Sequence, residues 1–212
     1  ASRLILMIVC TLLMLNVILM QMTRPTLAHE TDAARNLRAH YQFEELNYNN
    51  VPDEVVDNMG NASGRAIGAS THPNGKKGRC AYFNNQSYIE LSQNVIISDE
   101  FSLAFWMKLN HNATGTNPIF IQKSSLEGKG SPKFLIRTSG SNNLLQIFVR
   151  GLNDNGKWIN TIPLTNNTWY NVIILFDSTN IEVHVNNELK NRTTHGTDAN
   201  FQDYITVRTI GG

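Results

Sequence analysis

WYNVIILF-DSTN-IEVHV-NNELK, residues 169–190, is the stretch whose pattern decides the fold. Two runs of β-branched and aromatic residues flank a polar break that begins at Asp177 and ends at Asn180. Asp, Ser and Asn stabilise turns through their own side chains, so the break predicts a hairpin. In the second run Ile181, Val183 and Val185 alternate with Glu182, His184 and Asn186, which sends one face to a core and the other to water. Asn186-Asn187 then falls where a tight turn demands positive φ, a region Asn tolerates better than most residues. The first run departs from strict alternation. Tyr170, Val172, Ile174 and Phe176 form one apolar face, and Ile173 and Leu175 make the other face apolar too. A crossing loop is expected to cover that second face, with a partner surface as the alternative.

The same reading extends along the chain. Phe101, Leu103, Phe105, Met107 and Leu109 recur with a period of two. Further strand-like runs occur at 119–123, 134–138, 144–150, 158–164 and 205–210, separated by breaks rich in Gly, Asn, Ser and Pro. Many short strands without a long amphipathic helix predict an all-β fold: a two-sheet antiparallel β-sandwich, or jelly roll.

Residues 4–20 stand apart. They are apolar except for Thr11 and Asn16, and they follow Arg3. As a helix of roughly 17 residues they would reach about 25 Å, short of the roughly 30 Å hydrocarbon core. A basic start, an apolar run and the small-x-small site Thr26-Leu27-Ala28 fit a secretory signal peptide, so 1–28 is expected to be a signal peptide or a retained membrane anchor. A pilin-like helix lacks its F-T-L-x-E start. Ile8 and Val9 are too large for a lipoprotein site at Cys10. Each remaining reading takes the globular part out of the cytoplasm, secreted or at the cell surface. Residues 29–38 read as a linker and 39–212 as the jelly roll.

Charge is nearly balanced, with 18 Lys and Arg against 17 Asp and Glu, and there is no basic run to grip nucleic acid. Only two cysteines occur; with the leader removed, Cys80 has no partner and reads as a small buried hydrophobe.

A set of motifs in order carries a resemblance. They are Ala39-His40-Tyr41-Gln42-Phe43-Glu44, Asp57-Asn58-Met59-Gly60-Asn61, GKKGRCAYF at 75–83, SYIEL at 87–91, FSLAFWMK at 101–108 and the hairpin above. Together they resemble the laminin-G-like jelly-roll domains of the concanavalin A-like lectin/glucanase superfamily. Asn187 replaces the usual turn Gly. The family's pattern continues beyond Gly212 into another strand, so one sheet is expected to lack its last strand and expose an edge. The resemblance makes 39–44 a first strand and places Trp106 and Trp169 in or against the core. That leaves Trp158, after the break at 153–156, as the exposed platform for a ligand. It also implies a structural calcium ion held near Glu44, Asp57 and Gly60, since hard oxygen ligands suit that ion. The competing reading is that Asp57 only forms an Asx-type turn.

No catalytic residues are assigned. The glucanases of this architecture aim two carboxylates about 5 Å apart from an E-x-D-x-x-E strand. The nearest string, at 30–35, ends in Arg and lies in the linker, and Asp99-Glu100 reads as solvated charge. The six histidines show no ligand spacing, and neither G-x-S-x-G nor a phosphate loop occurs. Five N-x-S/T sequons, at Asn61, Asn85, Asn112, Asn166 and Asn191, are about what so Asn-rich a chain contains by chance. The chain is therefore expected to be a non-catalytic extracellular module that binds carbohydrate or another extracellular protein. A glycoside hydrolase or lyase of the same architecture, or a displayed structural head, are the alternatives.

Overall fold

The computed structural model describes residues 36–211 apart from 85, 97, 99, 111–114, 125–131, 151–155, 178 and 196–204. The apolar segment 4–20 and the string at 30–35 lie outside these, as does Asp99. Among the described residues no helix is long and apolar enough to cross a membrane. Arg38–Gly212 forms one compact unit.

Among the described residues are thirteen strands: β1 (Gly64–Ile67), β2 (Ser70–His72), β3 (Cys80–Tyr82), β4 (Tyr88–Leu91), β5 (Phe101–Lys108), β6 (Thr116–Ser124), β7 (Pro132–Ser139), β8 (Leu144–Arg150), β9 (Gly156–Pro163), β10 (Trp169–Phe176), β11 (Asn180–Val185), β12 (Glu188–Thr194) and β13 (Ile205–Gly211). They form a seven-stranded sheet ordered β1-β4-β13-β6-β7-β8-β9 and a four-stranded sheet ordered β12-β11-β10-β5. Every strand pairing within them is antiparallel. The expected all-β sandwich is present, with one addition: β2 and β3 make a separate two-stranded sheet.

The opening hairpin forms as its residues dictate. Asp177 Oδ1 accepts the amides of Thr179 (2.7 Å) and Asn180 (2.6 Å), closing the first turn. Asn186 and Asn187 hold φ of 52° and 66°, the left-handed pair a two-residue turn requires. Inward residues of both sheets meet in one core. Partly buried Phe101 packs against this core, stacking on Phe176 (5.1 Å between centroids) and meeting Phe134 edge-on (5.4 Å), and so joins the two layers. Gln122, wholly buried on β6, spends its amide on the backbone of Ile96: Nε2 donates to the carbonyl (2.7 Å) and Oε1 accepts from the amide (3.3 Å). At one side, Asn191 Nδ2 donates to the carbonyl of Asn160 (2.7 Å) and Lys157 Nζ to that of Thr194 (2.5 Å). These bonds link β12 to β9, edge to edge.

Three expectations are corrected. Residues 39–44 are not a strand; only Tyr41 makes an isolated bridge, to Asp57. The reason is local, since Phe43 takes a φ of 57° and the His40 amide donates to the Asp57 carboxylate rather than to a ladder. Trp106 is not packed into the core but is 47% exposed, and Trp169 shares its face. Phe105, Met107, Tyr170 and Val172 point inward, and side chains alternate, so both indoles must point out. The second apolar face of β10 is only partly covered, for Leu175 remains 38% exposed.

Candidate carbohydrate-binding surface

Trp158 lies on β9, the edge of the seven-stranded sheet, and is 40% exposed. Its neighbour Ile159 is in the core, so alternation turns the indole to the sheet's outer face. Register then decides its company. Phe148 on β8 sits directly across from Trp158, and Gln146 across from Asn160. On the other side of β8, Arg137 of β7 pairs with Gln146. Two rows of side chains result, one aromatic and one polar.

The aromatic row is layered. Phe148 is buried, with its ring 4.8 Å from that of Trp158 and tilted by 50°. A Cβ on Gly156 would stand 2.2 Å from the Phe148 ring, so glycine there is what lets the ring lie against β9. The Arg137 guanidinium lies 3.6 Å from the centre of the Trp158 ring, a cation–π contact. Desolvation lowers the Arg137 pKa from its ordinary value, and the group stays charged at neutral pH.

The polar row is a relay of hydrogen bonds. Arg137 Nε donates to Gln146 Oε1 (2.9 Å), and Gln146 Nε2 donates to Asn160 Oδ1 (2.7 Å). This orients the Gln146 and Asn160 amides and leaves Asn160 Nδ2 outside the relay. An indole beside a fixed series of guanidinium and amide groups can hold a ring with one apolar face and several hydroxyls. None of these four side chains is a carboxylate. Arg137, Gln146 and Asn160 were missed in the sequence. The signal that finds them is parity, since 137 shares a face with 135, 146 with 148, and 160 with 158.

The residues proposed for calcium occupy other places. Asp57 is buried, and each of its oxygens accepts two backbone amides: Oδ1 from His40 (2.7 Å) and Met59 (3.0 Å), Oδ2 from Asn61 and Ala62 (both 2.9 Å). Burial raises its pKa, but these four bonds outweigh that, and the carboxyl sits below its usual value. Gly60 takes a φ of 74° and donates its amide to the Asp57 carbonyl (2.8 Å), closing a β-turn, while the Met59 amide on Asp57 Oδ1 makes the Asx-type turn. Glu44 accepts the Arg79 amide (3.0 Å) instead. Among the described residues no three His, Cys, Asp or Glu are grouped to hold a metal. The carboxylates as placed do not fit a shared cation, since Asp57 already has four donors on its oxygens. Cys80 is half-buried and unpaired, and burial pushes its thiol pKa up.

Comparison with known proteins places this geometry. A laminin-G family model, described as the concanavalin A-like lectin/glucanases superfamily, matches residues 83–212. No curated protein sequence matches the chain. Among solved structures, domain 4 of AbnA, a GH43 extracellular arabinanase from Geobacillus stearothermophilus solved with arabinotriose, is similar over 82% of both chains, with a TM-score of 0.59 and 21% identity. The binding domain of Paraclostridial mosquitocidal protein 1 is similar over 80% of this chain and 48% of its own (TM-score 0.52, 13% identity). The botulinum neurotoxin serotype G binding domain is similar over 79% and 46% (0.51, 15%). This chain spans about half the length of those two domains. At such identities the likeness establishes the fold.

Proposed function

The chain belongs to the concanavalin A-like lectin/glucanases superfamily, and on that premise we propose that it is a non-catalytic carbohydrate-binding module. The observation that carries this reading is the Trp158 surface, where an exposed indole stands beside the Arg137–Gln146–Asn160 row. The sugar ring stacks on the indole, and the guanidinium and amides take its hydroxyls. A neutral oligosaccharide is the preferred ligand class, and the arabinotriose carried by the arabinanase domain makes arabino-oligosaccharides the first to try. The apolar segment 4–20 supports work outside the cytoplasm, secreted or anchored. N-terminal sequencing of the mature protein separates those two cases. Binding proceeds without calcium in this reading, because Asp57 is already saturated by backbone amides.

Calorimetric titration of the folded protein with arabino-oligosaccharides and a neutral glycan panel tests it. A defined sugar class should bind, Trp158→Ala should weaken binding by about tenfold or more, and chelator should leave the affinity unchanged. Silence from folded protein across the panel, or full affinity in Trp158→Ala, would overturn the assignment. Release of reducing ends from a bound glycan would return it to the glycoside hydrolases.

A further inference from the structure

The outer face of the four-stranded sheet carries a second aromatic surface, on a different sheet from Trp158 and built differently. Trp106 on β5 pairs across the sheet with Asn171 of β10, and Trp169 of β10 with Lys108 of β5. The two indoles are thus diagonal neighbours on one face. Each has an ammonium beside it: Lys76 Nζ is 4.6 Å from the centre of the Trp106 ring, and Lys108 Nζ is 5.2 Å from that of Trp169. Neither lysine forms an ion pair among the described residues.

Lys76 does not reach Trp106 by chance of a free loop. The connection from β2 to β3 is closed by Gly75 N donating to the Gly78 carbonyl (2.9 Å). Gly78 holds a φ of 66°, and a Cβ there would stand 2.1 Å from a Glu44 carboxylate oxygen. Glu44 in turn accepts the Arg79 amide. The Arg79 guanidinium is spent on the carbonyls of Glu45 and Leu46 (both 3.1 Å) and on Thr71 Oγ1 (2.7 Å). The brace therefore ties the loop that carries Lys76 to the segment 44–46. Glu44, expected as a metal ligand, acts here as a strut.

We propose that Trp106, Trp169, Lys76 and Lys108 form a second binding surface, for an acidic polysaccharide whose sugars carry carboxylates. The two indoles supply flat apolar faces for successive rings, and the two ammoniums supply partners for carboxylates that the protein itself does not provide. Charge density favours this class over nucleic acid. A chain with formal charge +1 and two free ammoniums at the surface suits a polymer with spaced carboxylates, whereas a phosphodiester backbone calls for many cationic contacts. The surface differs from the Trp158 site in chemistry as well as in place, so the two can be tested separately.

The test uses oligogalacturonate, its methyl-esterified counterpart and single-stranded oligonucleotide, titrated calorimetrically against the wild type, Trp106→Ala, Lys76→Ala/Lys108→Ala and Trp158→Ala. Trp106 is half exposed, so its variant is expected to fold, and circular dichroism verifies this. Oligogalacturonate should bind the wild type and weaken about tenfold in Trp106→Ala and in the double lysine variant, while Trp158→Ala matches the wild type. Esterification and raised salt should each reduce the affinity, since both remove or screen the ionic part. Absence of binding by folded wild type, or equal affinity in Trp106→Ala, would overturn the proposal. So would loss confined to Trp158→Ala, or equally Trp106-dependent binding of the oligonucleotide.

Discussion

Asp57 gathers four amides from both sides of its turn, and that number controls what replacing it does. Substituting Asn removes the charge and sets an NH2 group against backbone donors. Asp57→Asn should cost about 2–4 kcal/mol of stability at neutral pH, read from urea unfolding. The carboxyl's folded-state pKa is lowered, so its contribution is present above the unfolded pKa and is lost as pH falls through the folded value. The gap between wild type and variant should accordingly close on acidification. A gap that persists undiminished at low pH would mean that the loss in the variant does not come from the carboxylate's ionised form. Asn187 is a case where the residue itself announced its conformation. Its φ of 66° was legible because so few side chains accept that region, even without the family's usual glycine.

Strands convert such residues into surfaces. On β9, Gly156 has no side chain where the Phe148 ring lies, and Phe148 lies beneath Trp158. Gly156→Ala should push that ring aside, costing about 1–3 kcal/mol by overpacking. Sugar binding should fall with it although Gly156 donates nothing to a ligand. Unchanged affinity and melting temperature in this variant would show that Phe148 does not set the indole's position. β5 makes the complementary point. Its inward row, from Phe101 to Met107, was plain from the period of two, and the same period already required Trp106 to face outward. Family habit pointed the other way, and the parity of the strand prevailed because side chains of adjacent strand residues cannot share a face.

Across the whole molecule, the aromatic contacts of Phe101 with Phe176 and Phe134 tie one sheet to the other. Phe101→Ala should destabilise by about 3 kcal/mol, whereas Trp106→Ala on the outer face should change stability by about 1 kcal/mol or less. Chemical denaturation followed by tryptophan fluorescence and by circular dichroism measures both. Coincident transitions are expected in each variant, as for one cooperative unit. Similar losses from the two substitutions would contradict the division between core and outer face.

The chain by itself determined its class, its hairpins and most of its strands, because alternation, β-branching and turn residues act over a few neighbours. It also determined the left-handed Asn pair, and it singled out Trp158 as an exposed indole. What it could not specify was company. Arg137, Gln146 and Asn160 meet only because β7, β8 and β9 lie side by side in one register. Lys76 lies beside Trp106 from a loop that Arg79 ties to the segment 44–46, so that contact draws on three separate stretches of the chain. Asp57 was visible as a carboxylate at a turn, but whether its oxygens served a metal or amides depended on where His40 and Ala62 came to rest. Those contacts join residues from separate segments, and the folding of the chain as a whole decides them.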